Sequence, residues 1–541
     1  MTSHKTVTKA AGLMMVAILL SRFLGLFREM LIARQFGQGA LASAYTNAFN
    51  LPDLLYFFLS SGALSSAFIP VFTERFQTGR QKEAWQIFSI IACFMGLVLT
   101  AAVLIAEIFT KPLVIALAVP GFADKPELVN TTIVLTRIIL PCQLFFFLGG
   151  LMMATLESRQ KFSARAAGPV IYNLGIIAGA IFLTKWLNIA GLAWGAMIGA
   201  FAGNIVFTFI SMKRAGFEFK PSLNLRHPGV LRVGQLALPV ILGLSLPQID
   251  VIINKWFASF VSLDAPSALN YANRLMQVPL GIFAQAAGTA FLPTLAAYAA
   301  NNAIDDLRNA VSFGLRAILA VNIPATLFMV VMADPIVRTV YLGGEFTQAD
   351  VGATTIALIF YSAGIFAWAG QAIVARAFFA MQDTVTPIIL GTIATVIFIP
   401  LNYILMHAMG HGGLALATSI AATLHLTALT IFLRKRLNGL EGSRILHSLI
   451  RVCAASLVMT AVCYGTRVGM AQVVAVETKK GAALTVLVAM VLASMVYLGL
   501  IKLLRVEEAD FLWNMIKRKF NRRKGTSEVD EKPIDMSDTP S

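Results

Sequence analysis

Long apolar runs joined by short polar connections make up most of the chain. Fourteen of them, near 11–36, 41–73, 85–109, 130–156, 165–185, 189–212, 229–260, 266–299, 312–334, 350–380, 385–408, 413–433, 444–466 and 481–504, are long enough to be read as membrane spans. A helix needs roughly 20 residues to cross a ~30 Å hydrocarbon core. Gly, Pro and single charges interrupt several runs, so their ends are soft. The pattern predicts an all-α polytopic membrane protein with fourteen transmembrane helices. Composition agrees. Of 541 residues, 57% are hydrophobic and 13% charged, and the mean hydropathy of +0.76 excludes a water-soluble globular domain. Lys5 and Lys9 before GLMMVAILL resemble the front of a secretory signal. The apolar stretch nevertheless continues past Arg22 and Arg28 with no A-x-A cleavage pattern, so the first span is expected to be retained.

The net charge of +16 is sorted by loop, which argues for membrane topology and against a nucleic-acid partner. One side carries Arg75, Arg80 and Lys82, then Arg159, Lys161 and Arg165, then Lys213, Arg214, Lys220 and Arg226, and finally Arg434, Lys435, Arg436 and Arg444. The other side holds isolated or mixed charges such as Lys185 and Asp124-Lys125-Pro126-Glu127, with Lys479-Lys480 as the exception. With an even number of spans, both termini are expected in the cytoplasm. Residues 505–541 form a tail, first basic with Phe511, Leu512, Trp513 and Met515, then disordered in composition. Its basic part suits either water or the anionic inner-leaflet surface. Cys93, Cys142, Cys453 and Cys463 fall singly within spans and read as packing residues. The i, i+4 pair His407 and His411 reads as interfacial, so no metal centre is expected.

Aligning the chain with itself brings NAFNLPDLLYFFLSSGALSSAFIP (47–70) onto NYANRLMQVPLGIFAQAAGTAFLP (270–293) without a gap. Asn47 meets Asn270, Asn50 meets Asn273, and Ala67-Phe68-Ile69-Pro70 meets Ala290-Phe291-Leu292-Pro293. The offset of 223 residues carries the second span onto the eighth, and six spans preserve orientation. This predicts two parallel six-helix lobes, 1–220 and 221–438, related by an axis along the membrane normal, with the last two spans (439–504) outside the repeat.

A charged side chain at bilayer depth costs at least ~2.5–3.5 kcal/mol and persists where a polar cavity or a partner receives it. Arg22 and Arg28 in the first span and Arg274 in the eighth are such residues. They are expected to meet at the lobe interface, where transporters built this way hold their substrate. Arg22 and Arg28 stand ~9 Å apart along the axis and ~120° apart around it. Either both line a wide cavity, or Arg28 pairs with Glu29 or faces the outer water. Pro52, Gly62 and Pro70 in span two, Pro239, Gly243 and Pro247 in span seven, and Pro279 and Gly288 in span eight are expected to weaken helical continuity.

The runs SRFLGLFREMLIARQFG (21–37), AFNLPDLLYFFLSSGALSSAFIPVF (48–72), NYANRLMQVPLGIFAQAAGTAFLP (270–293), GGEFTQAD (343–350) and AMQDTVTP (380–387) carry a likeness in their order and spacing. Together they resemble the MurJ (MviN-type) lipid II flippases, within the multidrug/oligosaccharidyl-lipid/polysaccharide exporter superfamily. The resemblance implies a flippase in the bacterial cytoplasmic (inner) membrane. It would move the undecaprenyl-pyrophosphate-linked peptidoglycan precursor, lipid II, to the outer leaflet by alternating access, among membrane lipids, beside the cell-wall synthesis machinery and as a monomer. It implies that Arg22, Arg28 and Arg274 bind the pyrophosphate, which guanidinium forks suit. It also implies that spans 13 and 14 bound a groove for the polyprenyl tail, and that Asp250 of span seven binds a coupling sodium ion. The residues themselves leave open a salt bridge from Asp250 to Lys255 or Arg274. The chain departs from the family pattern at Tyr56, where an arginine is usual, at Ser43 and Gln277, where acids are usual, and at Asn50, where a lysine is common. These four are the remaining candidate substrate contacts, and Lys255 is a candidate source of the missing charge.

No GxxxxGK[ST] loop is present, so no nucleotide cofactor is expected and the drive falls to sodium or the membrane potential. No Asp-rich magnesium motif or His/carboxylate cluster supports an enzyme. Arginines rather than acids in the cavity argue against export of cationic drugs. Export of another polyprenyl-linked glycan, or a non-transporting scaffold for envelope synthesis, are the alternatives.

Overall fold

The computed structural model describes residues 2–59 and 62–508, and these are helical almost throughout. Among them the β-type pairing is one isolated bridge, Gly343 to Phe346. The tail from residue 509, with Phe511, Leu512, Trp513 and Met515, lies outside the described residues. The first expected span is α1 (Thr2–Phe36), and the second is three helices, α2 (Ala40–Ala48), α3 (Asn50–Leu59) and α4 (Gly62–Gln77). Next come α5 (Gln81–Ile108), the short α6 (Thr110–Leu113), α7 (Pro126–Ile139) and α8 (Cys142–Ser158). They are followed by α9 (Ser163–Ala178), α10 (Thr184–Leu187), α11 (Ala190–Ala200) and α12 (Thr208–Lys213). The second half holds α13 (Pro228–Val261), α14 (Ala265–Ala300), α15 (Ile304–Val331), α16 (Ala333–Tyr341), α17 (Gln348–Ser362), α18 (Ile365–Ala380) and α19 (Val385–Arg436). Finally come α20 (Gly442–Val473) and α21 (Lys479–Leu503). Each expected apolar run carries helix, and among the described residues nine helical segments combine the length and hydropathy to cross a membrane.

The interruptions fall only partly where Gly and Pro suggest. Span two breaks at Phe49, but α13 and α14 run on for 34 and 36 residues through their prolines. A packed membrane helix tolerates the loss of one rung of its hydrogen-bond ladder when neighbours satisfy the freed groups. Instead, wide π-type turns open at Val114–Ala118, Gly179–Leu183 and Phe201–Phe207. Gly410, at φ 59° and ψ −136°, divides α19 into two arms that match the eleventh and twelfth runs. One element is hidden from hydropathy. The amphipathic α16 buries Val337 and Tyr341 while Arg338 and Asp334 pair at 2.8 Å.

In lipid, apolar burial does not draw helices together, so close packing of small residues and polar contacts must. A close approach of this kind joins α9 and the π-type turn after it to α11, through Gly175 and Gly179 against Gly191, Gly195 and Gly199. The α20–α21 pair shares one core with α15, holding Val452, Ala455, Ala489, Ala493 and Ala320, and Tyr497 Oη of α21 donates to the Ala320 carbonyl. Arg316 of α15 is held by Glu507 at 2.7 Å and Glu508 at 2.5 Å, and Ser448 donates to Glu508 at 3.0 Å. The seam between the halves is occupied by α1. Ile32 packs into a core with α2, α7, α9 and α11, while its neighbour Ala33 packs into one with α14, α16 and α17. The start of α13 also crosses, with Val233 and Ala237 in the core of α4, α5 and α8.

A Cβ at Gly195 would lie 2.7 Å from the Gly175 carbonyl oxygen and 2.9 Å from Gly179 Cα. Gly195→Leu is therefore expected to destabilise the protein by about 1–3 kcal/mol, read as a lower melting temperature in detergent. Gly96→Ala, where a Cβ meets nothing within 4 Å, is expected to leave it unchanged.

Candidate functional site

Glu29 sits on α1 at the seam, 4% exposed. Its Oε1 lies 2.5 Å from Arg28 Nη2 and 3.5 Å from Arg274 Nε, and its Oε2 accepts from Asn270 Nδ2 at 3.4 Å. Arg28 also donates to Asn173 Oδ1 on α9 at 3.0 Å, and Asn173 Nδ2 donates to Ser21 Oγ at 3.2 Å. One carboxylate thus receives charge from both halves, Arg28 on the first and Arg274 on α14 of the second. Of the readings open for Arg28, the pair with Glu29 is the one formed. Arg274 keeps 45% of its side chain exposed and stays available on its other face.

Arg22 points elsewhere. Its guanidinium rests on α14 at Gly281, where a Cβ would displace it. It reaches a cavity of about 570 Å³ whose polar wall includes Asp250, Asn254, Lys255, Asn270, Asn273 and Gln277 from α13 and α14. Gln277 donates to Asn273 Oδ1 at 2.6 Å. The Asp250 Oδ1 and Asn254 Oδ1 atoms are buried without a hydrogen-bond partner, and the Thr395 hydroxyl lies within reach of the Asp250 carboxylate. Asn254 Nδ2 donates to Tyr361 Oη at 2.8 Å and Thr418 Oγ1 at 3.1 Å. The ion pairs considered for Asp250 do not form. Lys255 donates to the Thr46 carbonyl at 3.4 Å, bridging α13 to α2, and Arg274 is engaged by Glu29.

The structure therefore brings Arg22, Gln277 and Asp250 to one cavity, while Arg274 lies off that lining, joined to the lining residue Asn270 through their shared partner Glu29. The other candidates lie off its described lining. Ser43 is buried and donates to Ser267 Oγ at 3.1 Å, a contact between α2 and α14. Asn50 is fully buried on α3, and Tyr56 stands edge-on to Phe146 with ring centroids 6.0 Å apart. His407 and His411 are each held by a carbonyl, of Tyr403 at 2.8 Å and Ala353 at 2.9 Å. Two acids near the cations escaped the sequence reading. Glu29 entered only as an alternative partner, and Asp53, which feels the positive charges of Lys255 and Arg274, did not enter. The same signal as for the arginines, a charge inside an apolar run, would have found both.

Near the end of α1 a row of neutral hydrogen bonds closes the seam. Tyr271 Oη donates to the Gly37 carbonyl at 2.9 Å, Thr354 Oγ1 to Gln38 Oε1 at 2.6 Å, and the Glu345 amide to the Arg34 carbonyl at 2.9 Å. Nearby, Trp256 Nε1 donates to the Ala116 carbonyl at 3.0 Å and the Gly121 amide to Ser259 Oγ at 3.0 Å.

Comparison with known proteins places this arrangement. Residues 32–484 match the family model of the lipid II flippase MurJ. The chain is 32% identical over 423 residues to the probable lipid II flippase MurJ of Haemophilus influenzae, spanning 75% of this chain and 82% of that protein. It is 30% identical over 440 residues to that of Vibrio cholerae, spanning 79% and 83%. Its fold is similar to a solved lipid II flippase MurJ in an inward closed conformation, with a TM-score of 0.76 at 24% identity over 93% of this chain and 99% of that one. It is also similar to an inward-facing multidrug resistance MATE family transporter of the MOP superfamily, with a TM-score of 0.64 at 16% identity over 78% and 96%. The chain belongs to the lipid II flippase MurJ family.

Proposed function

We propose that this chain flips lipid II from the inner to the outer leaflet of the bacterial cytoplasmic membrane by alternating access, as a transporter and not an enzyme. The observation that carries the reading is Glu29 shared between Arg28 and Arg274 across the seam. A pyrophosphate presents the same chemistry as that carboxylate, an anionic oxygen acceptor for guanidinium, with more charge. Arriving beside Arg22, it competes with Glu29 for Arg274, and each bond it takes is one removed from the contact between the halves. Binding is thereby coupled to loosening of the seam. The moving bodies would be residues 1–220 and 221–438, with spans 13 and 14 of 439–504 holding the tail. The loops at the end remote from Gly37 are the more basic, so that end and both termini are assigned to the cytoplasm and the closed seam to the outer side. We assign the working unit as a monomer in contact with membrane lipids and near cell-wall synthesis enzymes.

Sodium is a fitting coupling ion. Asp250 Oδ1 and Asn254 Oδ1 offer buried oxygen acceptors with no other partner, beside Thr395 and Thr418. Hard cations prefer such oxygens. A sodium ion would balance the Asp250 carboxylate in the second half. The membrane potential acts as well, since each elementary charge moved across 100 mV is worth ~2.3 kcal/mol.

Arg274→Ala is expected to abolish complementation of a flippase-depleted strain while the protein stays in the membrane; sustained growth removes Arg274 from the mechanism. For the ion, the purified protein should melt higher in sodium chloride than in choline chloride. Asp250→Asn should erase that difference, and a difference that survives the substitution places the ion elsewhere.

A further inference from the structure

The cavity has a further polar arm, a stretch of wall apart from the α13 and α14 residues described above. It lies between α18 and both arms of α19, and its wall includes Trp368, Gln371, Gly391 and His425. His425 Nε2 is buried with no hydrogen-bond partner, while the Pro387 carbonyl takes the other side of the ring. An imidazole that donates from one nitrogen to a carbonyl presents the other as a bare acceptor. Opposite it is Gly391, where a Cβ would sit at ordinary contact distance, 3.7 Å, from that Nε2. Gln371 commits its Nε2 to the Ala422 carbonyl at 2.7 Å, which leaves its side-chain oxygen for the cavity. Trp368 is wedged against Gly364 and adds a broad apolar surface to the same wall.

The donors and acceptors around this cavity are unevenly distributed. Arg22 supplies donors at one side, and the arm supplies acceptors beside an indole. A ligand that satisfies both carries an anion at one end and several O–H or N–H donors with an apolar ring face at the other. A glycosyl pyrophosphate has this make-up; a bare polyprenyl pyrophosphate has only the anion. The volume of about 570 Å³ also lies in the range of sites that enclose a whole small ligand. We propose that this arm is a subsite for the glycan of the lipid-linked headgroup, with His425, Gln371 and Trp368 as its specificity-determining contacts. The proposal rests on the flippase reading above and adds which part of the substrate the second half reads.

The test uses the full-length protein in phosphatidylcholine nanodiscs, titrated separately with lipid II and with undecaprenyl pyrophosphate. Wild type is expected to bind lipid II more tightly. His425→Leu and Gln371→Leu each remove one neutral hydrogen bond, and should weaken lipid II by roughly 3–10-fold more than they weaken undecaprenyl pyrophosphate. His425→Gln, which restores a polar acceptor, should recover most of the difference, and Arg22→Gln should weaken both ligands. Equal weakening of the two ligands in every arm variant, or no weakening in any, overturns the subsite. Equal wild-type affinity for both ligands overturns it too and leaves the flippase reading standing. Failure of wild type to bind either ligand overturns the flippase reading itself.

Discussion

A buried carboxylate shared by two arginines is the contact on which the arrangement of the halves depends. Bringing Glu29, Arg28 and Arg274 together away from bulk water costs several kcal/mol per ion, and only good geometry with further hydrogen bonds repays it. Here Asn270 and Asn173 complete the set. The position is dictated by α1, whose successive residues Ile32 and Ala33 are built into different cores. A helix pinned on both sides places its acid at the seam whether or not a ligand is bound. Because apolar surface gains little by leaving lipid for another helix, a reversible charge contact is a suitable bond for two bodies that must part and meet again.

The neutral hydrogen bonds near Gly37 have a complementary role. Each is worth about 1 kcal/mol against water, and they use two backbone carbonyls and the Gln38 amide oxygen, which water can satisfy once the seam opens. Their geometry depends on two left-handed glycines. Gly37, at φ 61°, brings its carbonyl to Tyr271, and Gly344, at φ 64°, lets the turn lie on Arg34. A side chain at either would collide with the opposite backbone. Closure at this end is therefore a matter of shape and many small terms, while the middle of the seam is held by a few large ones. Losing the large ones to a competing anion leaves a contact that thermal motion can open.

What was legible in the sequence follows from what the bilayer demands. Spans must be long and apolar, so α5, α20 and α21 stand out at once, and Gly410 shows as the gap between two runs even though the helix around it is nearly continuous. Buried charges are costly, so Arg22, Arg28 and Arg274 stand out too. The amphipathic α16 was hidden because it buries one face and wets the other, and the π-type turns because a widened backbone leaves no side-chain signature. The boundary at 220/221 gives all of α13 to the second half, yet Val233 and Ala237 pack into the first. His425, Gln371 and Gly391 are ordinary residues in three apolar stretches, and only the packing of α18 on α19 makes them one wall.

The departures from the family pattern can be weighed against this geometry. At Ser43 and Gln277 the resemblance leads one to expect acids, and at Asn50 and Tyr56 cations. All four changes together remove two negative and two positive charges, so the balance of the region is kept. Three of the four replacements are neutral where the structure is closed or crowded: Ser43 in a contact with Ser267, Asn50 fully buried, and Tyr56 against Phe146. A charge there would need a partner, and deleting acids and cations in matched number avoids an orphan. The positive charge that remains is carried by Arg22, Arg28, Arg274 and Lys255, set against Glu29, Asp53 and Asp250. The membrane potential then acts on a net charge close to that of the fuller pattern. Neutralising a pyrophosphate depends on fewer groups, and of these Arg28 and Arg274 must first be freed from Glu29.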